Sequence, residues 1–142
     1  SNRDKQTTQN FSFNFENDNE TSSGDILLNP FFHEAWKINP FKLEERYYPV
    51  DFGYKINYSY RANISLPDNY EVKDLPQSKA ISLPNNGGKF IFNIKKSAKK
   101  LAIIFRFQLA KTRYTNEEYF ALKEFFNQII KIHTTPLYLK KI

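Results

Sequence analysis

Apolar residues recur at every second position in several stretches of the chain and at three- and four-residue steps in one, and these two periods predict strands followed by a helix. Phe11-Ser-Phe-Asn-Phe15 places three rings on one side of an extended segment. From Lys55, Ile56, Tyr58, Tyr60, Ala62, Ile64 and Leu66 share one face, and Asn57, Ser59, Arg61, Asn63 and Ser65 the other. Lys89–Lys95 repeats the pattern with Phe90, Phe92 and Ile94. Leu101–Leu109 does so with Leu101, Ile103, Phe105, Phe107 and Leu109. The opposite side of this last strand carries Ala102, Ile104, Arg106 and Gln108, a mixture suited to a central strand partly covered on its second face.

Turn residues punctuate these stretches. Residues 16–25 form a polar loop, after which Ile26-Leu-Leu28 begins a second extended segment. Leu66-Pro67, Leu75-Pro76 and Leu83-Pro84 each mark the end of a strand, at the close spacing of short strands and turns in sandwiches. Asn85-Asn-Gly-Gly88 tolerates positive φ and is expected to reverse the chain. A second turn is expected at Lys96–Lys99. Phe31–Phe41 reads as one helical turn or an irregular crossing, and Pro40 and Pro49 keep Phe41–Tyr48 extended or turned.

The helix is expected over 116–133. Thr115-x-x-Glu118 forms a capping box, in which each side chain satisfies the other residue's free backbone N–H. Tyr119, Leu122, Phe126, Ile129 and His133 make its apolar stripe, flanked by Phe125 and Ile130, while Lys123, Glu124, Asn127 and Lys131 lie opposite. Pro136 stops it before a last short strand, Leu137-Tyr-Leu139.

The 142 residues suit one domain, expected over 11–142 after a frayed lead-in at 1–10. A chain without Met that opens on Ser1-Asn2 reads as a fragment carrying the scar of a cleaved tag. No apolar run is long enough to cross a bilayer as a helix. Cys is absent, which excludes disulfides, thiolate nucleophiles and cysteine zinc sites. The net charge of +6 fits a dispersed lysine surface as readily as an anion-binding one.

Chemistry-bearing constellations are sparse. His33 and His133 stand far apart with no His or Cys at a ligand spacing, so no metal site is expected. His133 reads as a packing or dipole partner at a helix C-terminus. His33 beside Glu34 resembles half of an acid–base pair, but no nucleophile motif accompanies it. Glu44-Glu45 and Glu117-Glu118 are sequence neighbours whose carboxylates diverge, and the second pair suits the positive end of a helix dipole. Neither phosphate-loop pattern occurs among the four glycines, and no cofactor is expected. The sharpest basic cluster is Lys95, Lys96, Lys99 and Lys100, on either side of one hairpin turn, with Lys111, Arg113, Lys140 and Lys141 elsewhere. Those four lysines are the candidate binding patch. They are read either as solubilising edge charge or as a groove for a polyanion or glycan.

The run from Ile26 to Pro76 carries Asn29-Pro30-Phe31, Arg46-Tyr-Tyr-Pro-Val-Asp-Phe52 and the segment from Leu66-Pro67 to Leu75-Pro76. It resembles the domain of unknown function that follows a transglutaminase-like core in exported bacterial proteins, and the likeness spans about Phe11 to Leu139. The resemblance implies a C-terminal β-sandwich beside a core whose catalytic cysteine, histidine and aspartate lie upstream. It implies no catalytic residue in this chain, a periplasmic or secreted parent, and upstream domains of the same polypeptide as partners. The expected fold is therefore mostly β (α+β), an antiparallel, immunoglobulin-like β-sandwich with one C-terminal helix. The expected interior includes Tyr58, Tyr60, Ile64, Phe90, Phe92, Phe105 and Phe107. The expected role is a non-catalytic accessory or interaction domain, with no specific nucleic-acid partner; the alternative is an independent polyanion or glycan module.

Overall fold

The alternation from Ile56 onward becomes a ten-residue strand, and its register fixes much of the fold. The computed structural model describes residues 24–44 and 46–142, so the expected Phe11–Phe15 strand and the 1–10 lead-in lie outside the described residues. Among the described residues, nine strands and one α-helix follow in the order β1 (Ile26–Leu28), β2 (Val50–Asp51), β3 (Ile56–Ser65), β4 (Tyr70–Lys73), β5 (Lys79–Ser82), β6 (Gly88–Ser97), β7 (Lys100–Leu109), β8 (Arg113–Tyr114), α1 (Tyr119–Thr134) and β9 (Leu137–Lys141). They build an antiparallel four-stranded sheet in the order β3-β7-β6-β5, a three-stranded sheet β1-β9-β4 and a two-stranded β2-β8 ribbon. Together with α1 these make an open, mostly antiparallel β-sandwich with a C-terminal helix.

In the four-stranded sheet, Tyr58, Phe107 and Phe90 stand in one cross-strand row, and Tyr60, Phe105 and Phe92 in the next. Phe90, Phe92, Phe105 and Phe107 are buried, as is Ile64, whereas Tyr58 and Tyr60 on the outermost strand are half-buried. The helix stripe docks on these rows. Phe125 meets Phe90 at 5.2 Å and Phe107 at 5.9 Å between ring centres, and Phe126 meets Phe107 at 5.6 Å. Burying a Phe is worth roughly 1.5–3 kcal/mol, so a single-sided sheet of this kind is held chiefly by what covers its inner face. The outer face of β7, expected to be partly covered, is mixed: Ala102 and Arg106 are exposed, and Ile104 and Gln108 are half-buried.

The helix begins at Tyr119, not at residue 116, because the preceding turn is tighter. Glu118 and Tyr119 donate to the carbonyls of Thr115 and Asn116, three residues back, before the first i→i−4 bond from Leu122 to Glu118. The capping box itself forms: the Thr115 N–H donates to Glu118 Oε1 at 3.1 Å, and the Glu118 N–H to Thr115 Oγ1 at 3.3 Å.

The reversal at Asn85–Gly88 places Asn85 and Asn86 at positive φ. Gly88 is needed for close approach, since a Cβ there would sit 2.3 Å from the Gln108 carbonyl oxygen of the paired strand. The β6–β7 turn is shorter than the expected Lys96–Lys99. It uses only Ala98 and Lys99, with Ala98 at φ 52°, so Lys95, Lys96 and Lys100 are strand residues.

The segment between β1 and β3 contains a 3-10 turn at Phe32–Glu34 and is otherwise irregular, apart from β2. Its asparagines anchor it to the helix. Asn29 Nδ2 donates to the His133 carbonyl at 2.8 Å, and Asn39 Nδ2 to the Lys123 carbonyl at 3.0 Å.

Candidate functional site

The hairpin divides the four lysines of the candidate patch. Strand alternation separates them: Lys95 stands opposite Ala102 on the outer sheet face, whereas Lys96 stands opposite Leu101 on the inner-face side at the hairpin's end. Lys100 lies on the outer face between Ser65 and Ser97. Lys99 occupies the turn and is used internally, its Nζ donating to the Tyr70 carbonyl at 2.7 Å. The rings of this hairpin, Phe90, Phe92, Phe105 and Phe107, are buried and offer no stacking platform.

What the sheet does assemble is charge of one sign. Its four strands contain Arg61, Lys79, Lys89, Lys95, Lys96, Lys100 and Arg106 and no Asp or Glu. Those seven cations leave the rest of the chain at −1 against a total of +6, so the basic excess is concentrated here, not dispersed. Five of the seven share the outer face. Arg61 stands opposite Ile104, whose other neighbour is Asn93, Arg106 stands opposite Ser59 and Ile91, and Lys89 opposite Gln108. The sequence signal was the polar side of three alternating strands, unreadable as one surface until the register aligned them.

A second group of exposed side chains is apolar. Ile38, Leu43, Tyr47, Tyr48, Tyr54 and Phe120 are six of the ten large hydrophobic side chains exposed among the described residues, with Tyr47 at 82% and Tyr48 at 79%. Five of them lie in residues 38–54, and this segment is fixed to the helix start that carries the sixth. The Leu43 carbonyl accepts from Tyr119 Oη at 2.8 Å and Lys123 Nζ at 2.9 Å, on either side of Phe120. Beneath it, Phe41 packs edge-on against Tyr119 at 5.8 Å and Phe52 at 6.2 Å. The β2–β8 pairing of Val50 with Tyr114 holds the far end.

The remaining candidates are placed as follows. His33 lies in the 3-10 turn and His133 near the end of α1. His133 is fully buried, and burial lowers its pKa to about 4. Its Nδ1 accepts the Trp36 N–H at 3.0 Å, which leaves Nε2 as the protonated nitrogen of a neutral ring, without a hydrogen-bond partner. Glu117 is exposed, and Glu45 lies outside the described residues. Glu118 is tied to Lys111 Nζ at 2.5 Å, and that hydrogen bond, with those from Thr115, holds its carboxyl at about 2. Burial pushes the Tyr60 hydroxyl up to about 12, aided by neighbouring Tyr58 and Glu34, and the hydroxyl donates to the Pro30 carbonyl. Among the described residues no group of three His, Asp or Glu side chains is placed to hold a metal ion, and no helix is long and apolar enough to cross a membrane. An open groove of about 340 Å³ between the start of β5 and the end of α1 is lined by Pro30, Pro76, Phe92 and Ile132, with Lys79 and Lys131 also on its wall.

A family model described as a Domain of Unknown Function with solved structure, DUF3858, matches residues 24–139. No curated protein matches the chain. Among solved structures, the fold is similar to that of a "putative protease" from Parabacteroides distasonis, with a TM-score of 0.66 at 13% identity. The likeness covers 84% of this chain and 24% of that one, so the chain spans about a quarter of that protein's length.

Proposed function

We propose that this chain, which belongs to the DUF3858 family of domains of unknown function, is a non-catalytic contact domain of a longer exported protein, packing against a transglutaminase-like core in the same polypeptide. The observation that carries this reading is the cluster of exposed aromatic and aliphatic side chains on residues 38–54 and Phe120. Soluble monomers seldom leave large apolar patches uncovered, and aromatic side chains are the usual anchors of protein interfaces. The fold's similarity to about a quarter of a longer protein supports it. So does the chemistry of the titratable groups. His133 is sealed in the core, and Glu118 is committed to Lys111 and the helix start. Catalytic silence of the isolated domain is part of the proposal.

The test is calorimetric titration of this domain against the separately expressed remainder of its parent protein. Association that is lost when Tyr47, Tyr48 and Tyr54 are replaced together by Ala supports the proposal. Absence of association, or peptide-bond hydrolysis by the isolated domain, refutes it.

A further inference from the structure

The outer face of the four-stranded sheet carries a chemistry that the apolar contact surface does not use. Arg61 and Arg106 lie on adjacent strands two residues apart in register, a diagonal of roughly 7–8 Å for antiparallel neighbours. Lys89 flanks Arg106 diagonally across β6, and Lys95 stands one strand over near the hairpin end. Among the described residues no carboxylate lies within ion-pair distance of any of them, and the only ion pair found there joins Lys111 to Glu118 on other elements. The face therefore presents several cations of one sign with no carboxylate among them.

We propose that this face is a docking surface for an acidic protein surface, one presenting carboxylates to Arg61 and Arg106. Three features choose that occupant. The two central cations are arginines, whose planar forks match carboxylates with paired hydrogen bonds. The spaces between the cations are filled by aliphatic side chains, Ile91 at 40% exposure and the half-buried Ile104, which give a protein partner dry contact. The outer positions of the four strands carry no aromatic ring, so the stacking on which single-stranded nucleic acid depends is missing.

The experiment measures binding of poly-L-glutamate to the domain at low salt, beside a single-stranded oligonucleotide and phosphatidylglycerol vesicles. The R61Q/R106Q pair is compared with K96Q/K131Q, which removes the same charge from exposed positions off this face. Poly-glutamate binding is expected to weaken about tenfold or more in the first pair and about twofold or less in the second. The R61K/R106K pair, which keeps charge and loses the fork, is expected to fall between wild type and R61Q/R106Q, and it stands in should the glutamine pair fail to fold. Equal weakening in both glutamine pairs, no poly-glutamate binding by the wild type, or tighter face-dependent binding of the oligonucleotide or the vesicles would overturn the proposal.

Discussion

The ring of Phe31 lies flat on the imidazole of His133, centroids 3.9 Å apart and planes 9° from parallel, so the Asn29-Pro30-Phe31 motif is a clasp on the end of the helix. Phe31 also meets Tyr60 at 5.2 Å and Phe105 edge-on at 5.8 Å, which joins connector, sheet and helix at one point. Replacing this fully buried ring with Ala is expected to cost about 3–5 kcal/mol in denaturant unfolding, the range for a deleted core Phe. A loss under about 1 kcal/mol would show that the clasp is dispensable.

His133 makes stability depend on pH in a defined direction. Its folded-state value of about 4 lies below the ordinary 6.5, so the unfolded chain takes up a proton over a range where the native protein does not. Stability is therefore full above pH 6.5 and is lost as pH falls from 6.5 toward 4, by on the order of 3 kcal/mol at about 1.4 kcal/mol per pKa unit. His133→Phe is expected to flatten that part of the profile whatever it does to absolute stability. An unchanged slope in the variant would contradict the assignment.

Glu118 acts in a lower window. Its side chain is only 10% exposed and its carboxyl is held near 2, below the ordinary 4.5, chiefly by the Lys111 hydrogen bond. The stability it contributes is present above pH 4.5 and disappears as pH falls toward 2. Glu118→Gln is expected to cost about 1 kcal/mol at neutral pH and to remove that acid limb from the unfolding profile.

Gly88→Ala tests strand register directly. The added Cβ would sit 2.3 Å from a backbone oxygen of β7, which no rotamer change relieves, so the strands must part locally. A loss above about 2 kcal/mol is expected in thermal unfolding, and a neutral result would mean that β6 and β7 do not approach as described.

Much of the fold was legible from alternation, because burial on one face of a strand writes itself at every second residue. The inner faces of β3, β6 and β7 and the stripe of α1 match the readings from Ile56, Phe90, Leu101 and Tyr119 onward. The helix start moved because a capping box fixes the cap and leaves open whether the first turn is tight or regular. The β2–β8 ribbon is two residues per strand, too short to carry a period. The candidate patch is divided for a related reason: Lys95, Lys96, Lys99 and Lys100 are close in sequence, yet a two-residue turn leaves Lys95 and Lys100 on the outer face, Lys96 on the other and Lys99 as an internal strut. The basic face itself, from Arg61 to Lys89, is distributed over three strands and required the register.

Hydrogen–deuterium exchange on the isolated domain and on the full parent protein tests the contact-domain proposal most directly. If residues 38–54 and the start of α1 are covered by the rest of the polypeptide, their backbone amides exchange more slowly in the parent than in the isolated domain, while the core strands β6 and β7 are unchanged. Identical exchange of residues 38–54 in both would contradict it.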